Sequence, residues 1–84
     1  MPYIDNSRRN ELDDDFSCDG GIDSTGELNY LITRLIRLYR FEHGMSYNTI
    51  NDIIGALEGA KLEFYRRVAV PYEDTKKMLN GDVY

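Results

Sequence analysis

The feature that most constrains the fold is a helical spacing of apolar residues that runs from residue 28 to residue 68. It is interrupted at His43-Gly44, where the glycine can adopt the left-handed conformation that ends many helices. On each side of this break, apolar residues recur at intervals of three and four, the pattern of an amphipathic helix. They are Leu28, Leu31, Ile32, Leu35, Ile36 and Tyr39 before the break, and Ile50, Ile53, Ile54, Leu57, Phe64, Tyr65 and Val68 after it. The pattern predicts two long helices joined by a short connection.

The first third of the chain predicts a short helix and a linker. Residues 1–12 predict a short N-terminal helix that begins at a cap, Asp5 or Asn6, whose side chain can accept a hydrogen bond from the first turn. Residues 13–25 have no apolar period and are rich in Gly, Asp and Ser, which indicates an acidic, mobile linker. Helix one is then expected over residues 26–43, with Thr25 as its cap.

The last part of the chain predicts a long helix followed by a short one. Helix two is expected over residues 47–70, capped by Ser46 or Asn48. Pro71 should end or kink it, because proline disfavours helical backbone at the residue before it. A short helix over residues 71–80 and a tail over residues 81–84 follow. The expected fold is a single all-α domain, an antiparallel helical hairpin with short flanking helices.

A chain of 84 residues has little apolar material with which to build a core. Such a domain buries only about 60% of its unfolded surface, and the single cysteine, Cys18, permits no disulfide within the chain. Two rows of small residues, at positions 55 and 59 and at positions 56 and 60, indicate close approach of another backbone. We therefore expect a homo-oligomer.

Charge is divided unevenly along the chain. The formal net charge is −5, but residues 5–27 carry −6 and residues 28–84 carry +1. This balance disfavours binding to double-stranded DNA, which needs an extended basic face. With no apolar run of about 20 residues and no signal peptide, we expect a cytoplasmic protein without a membrane partner.

Two groups of basic residues are candidates for binding an anion. Arg34, Arg37 and Arg40 fall three apart on helix one, with no acid between residues 28 and 41. The second group follows near the end of helix two and consists of Lys61, Tyr65, Arg66, Arg67 and Tyr72. Arginine forks match phosphate oxygens and tyrosine rings stack on bases, so the two groups, brought level by an antiparallel hairpin, predict a nucleotide site.

Each group also has a simpler interpretation. The arginines of helix one would then be a solvated face, and Tyr65 a core residue with its hydroxyl at the rim. Glu63 and Asp74 would neutralise Arg66 and Arg67, leaving only an ion-paired helix junction.

Nothing in the sequence predicts catalysis, a metal site or a cofactor. Glu58 and Glu63 are five residues apart and so lie on different sides of a helix, and Cys18 lies among acids that do not activate a thiol. His43, the only histidine, cannot form a familiar zinc site with a single cysteine. Gly20-Gly21 lacks the context of a phosphate-binding loop.

Three stretches carry a family resemblance: "MPYI…RRNELD", "GELNYLITRL" and above all "AKLEFYRRVAVPYEDTKKMLNGDVY". In them the chain resembles a family of small phage and prophage proteins of unassigned function. The resemblance covers about two thirds of the chain and leaves out residues 13–25. It implies a phage origin and action inside an infected bacterium, and it implies no activity.

The sequence supports two hypotheses of function from different classes. In size, helical content and lack of catalytic groups the chain is similar to phage proteins that sequester nucleotide immune signals of the host, such as cyclic dinucleotides or ADP-ribose derivatives. The first hypothesis is a non-enzymatic sponge of this kind, with the ligand at Arg34, Arg37, Lys61, Tyr65, Arg66, Arg67 and Tyr72. The alternative is an interaction module that inhibits or redirects a host protein through its acidic segment or its "NGDVY" tail. A hydrolase of such signals would need a metal or a base that the sequence does not offer.

Overall fold

The computed structural model describes residues 4–84, and this part of the chain is helical with no strand. Its elements in order are α1 (Asn6–Asp15), α2 (Thr25–His43), α3 (Tyr47–Phe64), a π-helical turn (Tyr65–Ala69) and α4 (Val70–Asn80). The prediction of an all-α fold is confirmed. Residues 1–3 of the predicted first helix lie outside the described residues.

Side chains that cap the first turns explain where the helices begin. Asp5 Oδ1 accepts hydrogen bonds from the backbone N–H of Arg8 at 2.9 Å and from the hydroxyl of Ser7 at 3.0 Å. These bonds favour the ionised carboxylate, the backbone bond most, and they hold the pKa of Asp5 below its ordinary value. α1 extends to Asp15, beyond the predicted end at residue 12, and the backbone N–H of Phe16 closes it by donating to the carbonyl of Leu12.

α2 begins with a reciprocal cap, and its capping residue differs from the predicted Thr25. The backbone N–H of Glu27 donates to Ser24 Oγ at 3.1 Å, and Ser24 Oγ donates to Glu27 Oε2 at 3.2 Å. The arrangement is a variant of the capping box, because the acid three residues after the serine accepts from the serine hydroxyl and from the backbone N–H of Asp23 instead of from the backbone N–H of the serine. Thr25 is instead the first helical residue, because the serine one position earlier is already at the N-cap.

α3 is capped by Ser46, one of the two residues predicted for this position. The hydroxyl of Ser46 accepts a hydrogen bond from the backbone N–H of Thr49 at 3.2 Å. Thr49 is 4% exposed and is the only buried residue among residues 4–84.

The chain stays helical across the predicted break at Pro71. Five residues, Tyr65–Ala69, form a π-helical turn, in which the backbone N–H of Val70 bonds to the carbonyl of Tyr65 five residues earlier. In a regular α-helix the ring of Pro71 would clash with the carbonyl of Arg67. The wider turn lies where this clash would occur, and α4 continues from it with proline in its first turn, where the missing N–H is not needed.

The chain divides into two compact units, Met1–Glu42 and His43–Tyr84, which we describe separately. No apolar side chain among residues 4–84 is buried. A side chain that is exposed in the whole chain is also exposed in its own unit, so neither unit encloses an apolar core in its described part. Packing of α2 against α3 as a hairpin and assembly into a homo-oligomer both stay predictions.

No described helix combines the length and apolarity needed to cross a bilayer.

Candidate anion-binding site

Three arginines of α2 form the candidate site, and we call Arg34, Arg37 and Arg40 the arginine strip. A spacing of three residues turns each arginine about 60° from the last and advances it about 4.5 Å along the helix. The strip therefore covers a sector of about 120°. This sector is centred on Arg37 and lies opposite the face that carries Leu28 and Leu35.

The arginine strip lines a shallow concavity together with two apolar side chains. Its volume is about 400 Å³, and Leu38 and Phe41 complete its lining. Phe41 is 87% exposed, and the three arginines are exposed as well. An open surface of guanidinium groups beside an aromatic ring can contact phosphate oxygens and the face of a base together.

No acid among residues 4–42 pairs with the arginine strip. In the described part of Met1–Glu42, the ion pair that forms is between Arg8 and Glu11, at 2.8 Å, and it does not involve the strip. Glu27 near the start of α2 accepts from Ser24 Oγ and from the backbone N–H of Asp23 at 3.2 Å. The guanidinium groups of the strip therefore present their charge to solvent.

The second predicted group is ion-paired. Glu63 Oε1 lies 2.5 Å from Arg66 Nη2, and Glu63 Oε2 lies 2.7 Å from Arg67 Nε. The Glu63 side chain is 21% exposed, much less than either arginine. One carboxylate thus pairs with both guanidinium groups. This is the pairing that the simpler interpretation of the sequence expected for Glu63.

The rest of the second group is also engaged in part. Lys61 Nζ lies 3.6 Å from Glu58 Oε1, which offsets its charge. Lys76 Nζ lies 5.6 Å from the centre of the Tyr72 ring, a cation–π distance that occupies one face of this ring. Tyr65, in the π-helical turn, is about half exposed.

The predicted site residues divide between the two units. Arg34 and Arg37 lie in Met1–Glu42, whereas Lys61, Tyr65, Arg66, Arg67 and Tyr72 lie in His43–Tyr84. Their convergence into one site stays a prediction. Phe41 and Leu38 were not among the predicted site residues, although each lies four positions after an arginine of the strip. Side chains at this spacing are neighbours on a helix, so the spacing alone could have identified both residues as neighbours of the arginines.

A second concavity, of about 500 Å³, lies between the linker and the start of α2. Cys18, Ile22, Tyr30 and Leu31 are among its lining residues, and Glu27 contributes a carboxylate. The half-buried thiol of Cys18 lies 3.9 Å from the carbonyl oxygen of Gly21, to which it can donate. The carboxylate makes this concavity unsuitable for an anion.

Among residues 4–84 no group of three or more His, Cys, Asp and Glu side chains is arranged to hold a metal ion.

The structure is that of a small all-α protein that presents three exposed arginines on one helix. The chain belongs to a family characterised by a domain of unknown function, DUF6899, which matches residues 1–83. Neither a curated protein nor a solved structure matches the chain.

Proposed function

We propose that the protein binds a phosphate-bearing, nucleotide-derived ligand at the arginine strip and holds it without chemical change. The observation that carries the proposal is that Arg34, Arg37 and Arg40 share one sector of α2, and that none of the acids described in their unit pairs with them. Guanidinium groups are strong phosphate donors because they are planar, always charged and able to form two parallel hydrogen bonds.

The apolar part of the concavity supports a nucleotide rather than a bare phosphate. Phe41 and Leu38 flank the arginines, and the exposed ring of Phe41 offers a surface for stacking. Base–aromatic stacking contributes about 1–3 kcal/mol per base, comparable to one or two phosphate contacts. A ligand that carries both a phosphate and a base would use both halves of the surface.

The groups that surround the strip support sequestration without catalysis. The side chains of the concavity are arginines, a leucine and a phenylalanine, none of which serves as a general base at neutral pH. We propose that the ligand is a nucleotide immune signal of a bacterial host and that the protein acts for a phage in the host cytoplasm. The support for this part is the resemblance to small phage proteins and the analogy with phage sponges of such signals.

The second group plays a smaller part in this proposal. Arg66, Arg67 and Lys61 must give up a carboxylate before they meet a phosphate. Tyr65 and the free face of Tyr72 are open to a base. In a homo-oligomer these residues of one copy would add contacts to a ligand held on the strip of another.

Equilibrium dialysis tests the proposal directly. The ligands are a cyclic dinucleotide, ADP-ribose, AMP and inorganic triphosphate, and adenosine is the control without a phosphate. We expect saturable binding of at least one phosphate-bearing nucleotide and none of adenosine. Affinity should fall as the salt concentration rises, because the contacts are exposed and ionic. Binding of none of the phosphate-bearing ligands at low salt would contradict the proposal.

A second candidate function is recognition of a host protein through the C-terminal tail. Val83 and Tyr84 are almost completely exposed after the end of α4. Deleting residues 81–84 separates the two functions. The sponge proposal expects both ligand binding in dialysis and biological activity to be unchanged, whereas a recognition peptide expects biological activity to be lost while ligand binding is unchanged.

A further inference from the structure

The arginine strip has two apolar neighbours that follow its own spacing. Leu38 lies four positions after Arg34, and Phe41 lies four positions after Arg37. Side chains at this spacing are neighbours on a helix, and all four line the same concavity. Leu38 and Phe41, which we call the apolar row, are both exposed. The surface therefore repeats one unit, an arginine with an apolar neighbour, after three residues.

Helical geometry sets the distance between the charges of the strip. At a radius of about 5–6 Å, to which side chains extend, residues three positions apart are about 7 Å from each other. Arg34 and Arg40, at the two ends of the strip, are about 13 Å apart at the same radius. Because like charges repel, the three guanidinium groups do not gather at one point without an anion between them. The strip therefore presents separate positive charges.

Phosphates that share an oxygen match this spacing poorly. The two phosphorus atoms of a diphosphate are joined through one oxygen, so a single pair of guanidinium groups can surround the whole anion. In a strand of nucleotides a sugar separates consecutive phosphates, and they lie several ångströms farther apart than in a diphosphate. Each phosphate can then be bound by its own arginine. Consecutive phosphodiesters therefore use the strip more fully than a diphosphate does.

The apolar row favours the same class of ligand. Every nucleotide of a strand contributes one phosphate and one base, and bases stack on exposed aromatic side chains. The repeated unit of the surface offers a guanidinium group for the phosphate and an apolar side chain for the base. Phe41 offers a ring for stacking, whereas Leu38 offers apolar contact alone, so the base at Phe41 should contribute more to binding.

We propose that the ligand of the arginine strip is an oligonucleotide, linear or cyclic, in which a sugar separates at least two phosphodiesters. This inference rests on the proposed function and narrows its ligand class, because nucleotides whose phosphates form a diphosphate become the weaker ligands. Two consecutive phosphodiesters contact Arg34 and Arg37, the two arginines that have apolar neighbours.

Titration calorimetry with ligands of equal charge tests the inference. Cyclic diadenylate and diadenosine diphosphate both contain two adenosines and two phosphates, but only in the cyclic compound do sugars separate the phosphates. Linear triadenylate without terminal phosphates has the same two phosphodiesters and no ring. We expect the cyclic compound, the linear compound or both to bind about fivefold tighter than diadenosine diphosphate, the factor for one more exposed charged contact.

The outcomes distinguish this inference from the proposed function. If diadenosine diphosphate binds as tightly as both other compounds, or tighter, the proposed function stands and the inference is overturned. If none of the three compounds binds and the dialysis panel shows no binding either, both are overturned. Tighter binding of only the cyclic or only the linear compound supports the inference and identifies the form that the surface accepts.

A matched pair of variants tests whether separate arginines hold separate phosphates. Arg37→Gln leaves Arg34 and Arg40 at the ends of the strip, whereas Arg40→Gln leaves Arg34 and Arg37 as neighbours with the apolar row intact. We expect Arg37→Gln to weaken oligonucleotide binding about fivefold more than Arg40→Gln does.

AMP is the control ligand for these variants. A single phosphate can use any arginine of the strip, so both variants should weaken AMP binding by about twofold or less. Both replace an exposed side chain with the same residue, and circular dichroism checks that both remain helical. Equal losses of oligonucleotide affinity in the two variants would overturn the assignment of consecutive phosphates to Arg34 and Arg37.

Discussion

The two arginine groups of this protein have the same side chains in opposite states. In the arginine strip, no acid in the described part of the unit pairs with Arg34, Arg37 or Arg40. Near the end of α3, one carboxylate, that of Glu63, pairs with both Arg66 and Arg67. The density of positive charge along the sequence is the same, since each group has three basic residues within seven positions, 34–40 and 61–67. The arginines of the first group are more available to a ligand.

The difference arises from what stands one helical turn earlier. Glu63 precedes Arg66 by three positions and Arg67 by four, the two spacings at which helical side chains meet. In α2 the residues four positions before the strip arginines are Tyr30, Thr33 and Ile36, none of them acidic. An anion site on a helix is therefore defined by the absence of acids at these two spacings as much as by the presence of arginines.

The largest expected effect is the loss of ligand binding when the arginine strip is removed. Replacing Arg34, Arg37 and Arg40 together with glutamine should weaken nucleotide binding about 100-fold, at about 1 kcal/mol for each exposed charged contact. The matched variant, Arg66→Gln with Arg67→Gln, should weaken it by about threefold or less, because Glu63 already holds these groups. Titration calorimetry with the best nucleotide from the dialysis panel measures both.

The two variants also discriminate between the groups. An equal loss of nucleotide affinity in both variants would show that the two groups act as one site, as expected from an antiparallel hairpin. A loss confined to the second pair would contradict the assignment to the arginine strip.

A smaller effect on nucleotide binding is expected when an acid is placed four positions before an arginine of α2, as Glu63 is placed before Arg67. Thr33→Glu places a carboxylate four positions before Arg37, in the order that favours a helical ion pair. We expect about fivefold weaker nucleotide binding, since the new charge competes for Arg37 and repels the phosphate. Thr33→Gln is the control, because it has nearly the same shape and equally removes the hydrogen bond from Thr33 Oγ1 to the carbonyl of Asn29. If both variants bind alike, pairing at this spacing does not control the site.

The reverse change should produce a gain of about twofold to threefold. Glu63→Gln removes the carboxylate that pairs with both arginines, and we expect Arg66 to gain most as a weak second site for anions. The control is Glu58→Gln, which makes the same change in net charge and releases only Lys61. Binding of inorganic triphosphate at low salt, followed by calorimetry, compares the two. Equal effects would indicate a response to net charge alone.

The sequence predicts the helices of this chain well and its site only in part. The spacing of Leu28, Leu31 and Leu35 identifies α2 because helical geometry requires a period near 3.6. Ser46 was one of the two caps predicted for α3, whereas the cap of α2 was predicted one residue too late, at Thr25 instead of Ser24. The π-helical turn was not predicted, because a proline in the sequence does not show whether the helix will kink or form a wider turn. Pairing of Glu63 with both arginines was left open, since spacing permits a contact without determining the rotamer that makes it.

The smallest expected effect concerns a carboxylate that pairs with backbone instead of arginine. The pKa of Asp5 is lowered by the backbone N–H of Arg8 and the hydroxyl of Ser7. Because the folded pKa lies below the unfolded one, the contribution of Asp5 to α1 is complete above the unfolded pKa and is lost as the pH falls through the folded pKa. Amide chemical shifts of residues 6–15 between pH 7 and pH 2 should therefore show fraying of α1 at the acidic end. Asp5→Asn, which caps without titrating, should fray less over the same range. Identical acid fraying in both proteins would assign the effect to the remaining acids of α1. The charge of Asp5 would then make no measurable contribution to the stability of its own helix.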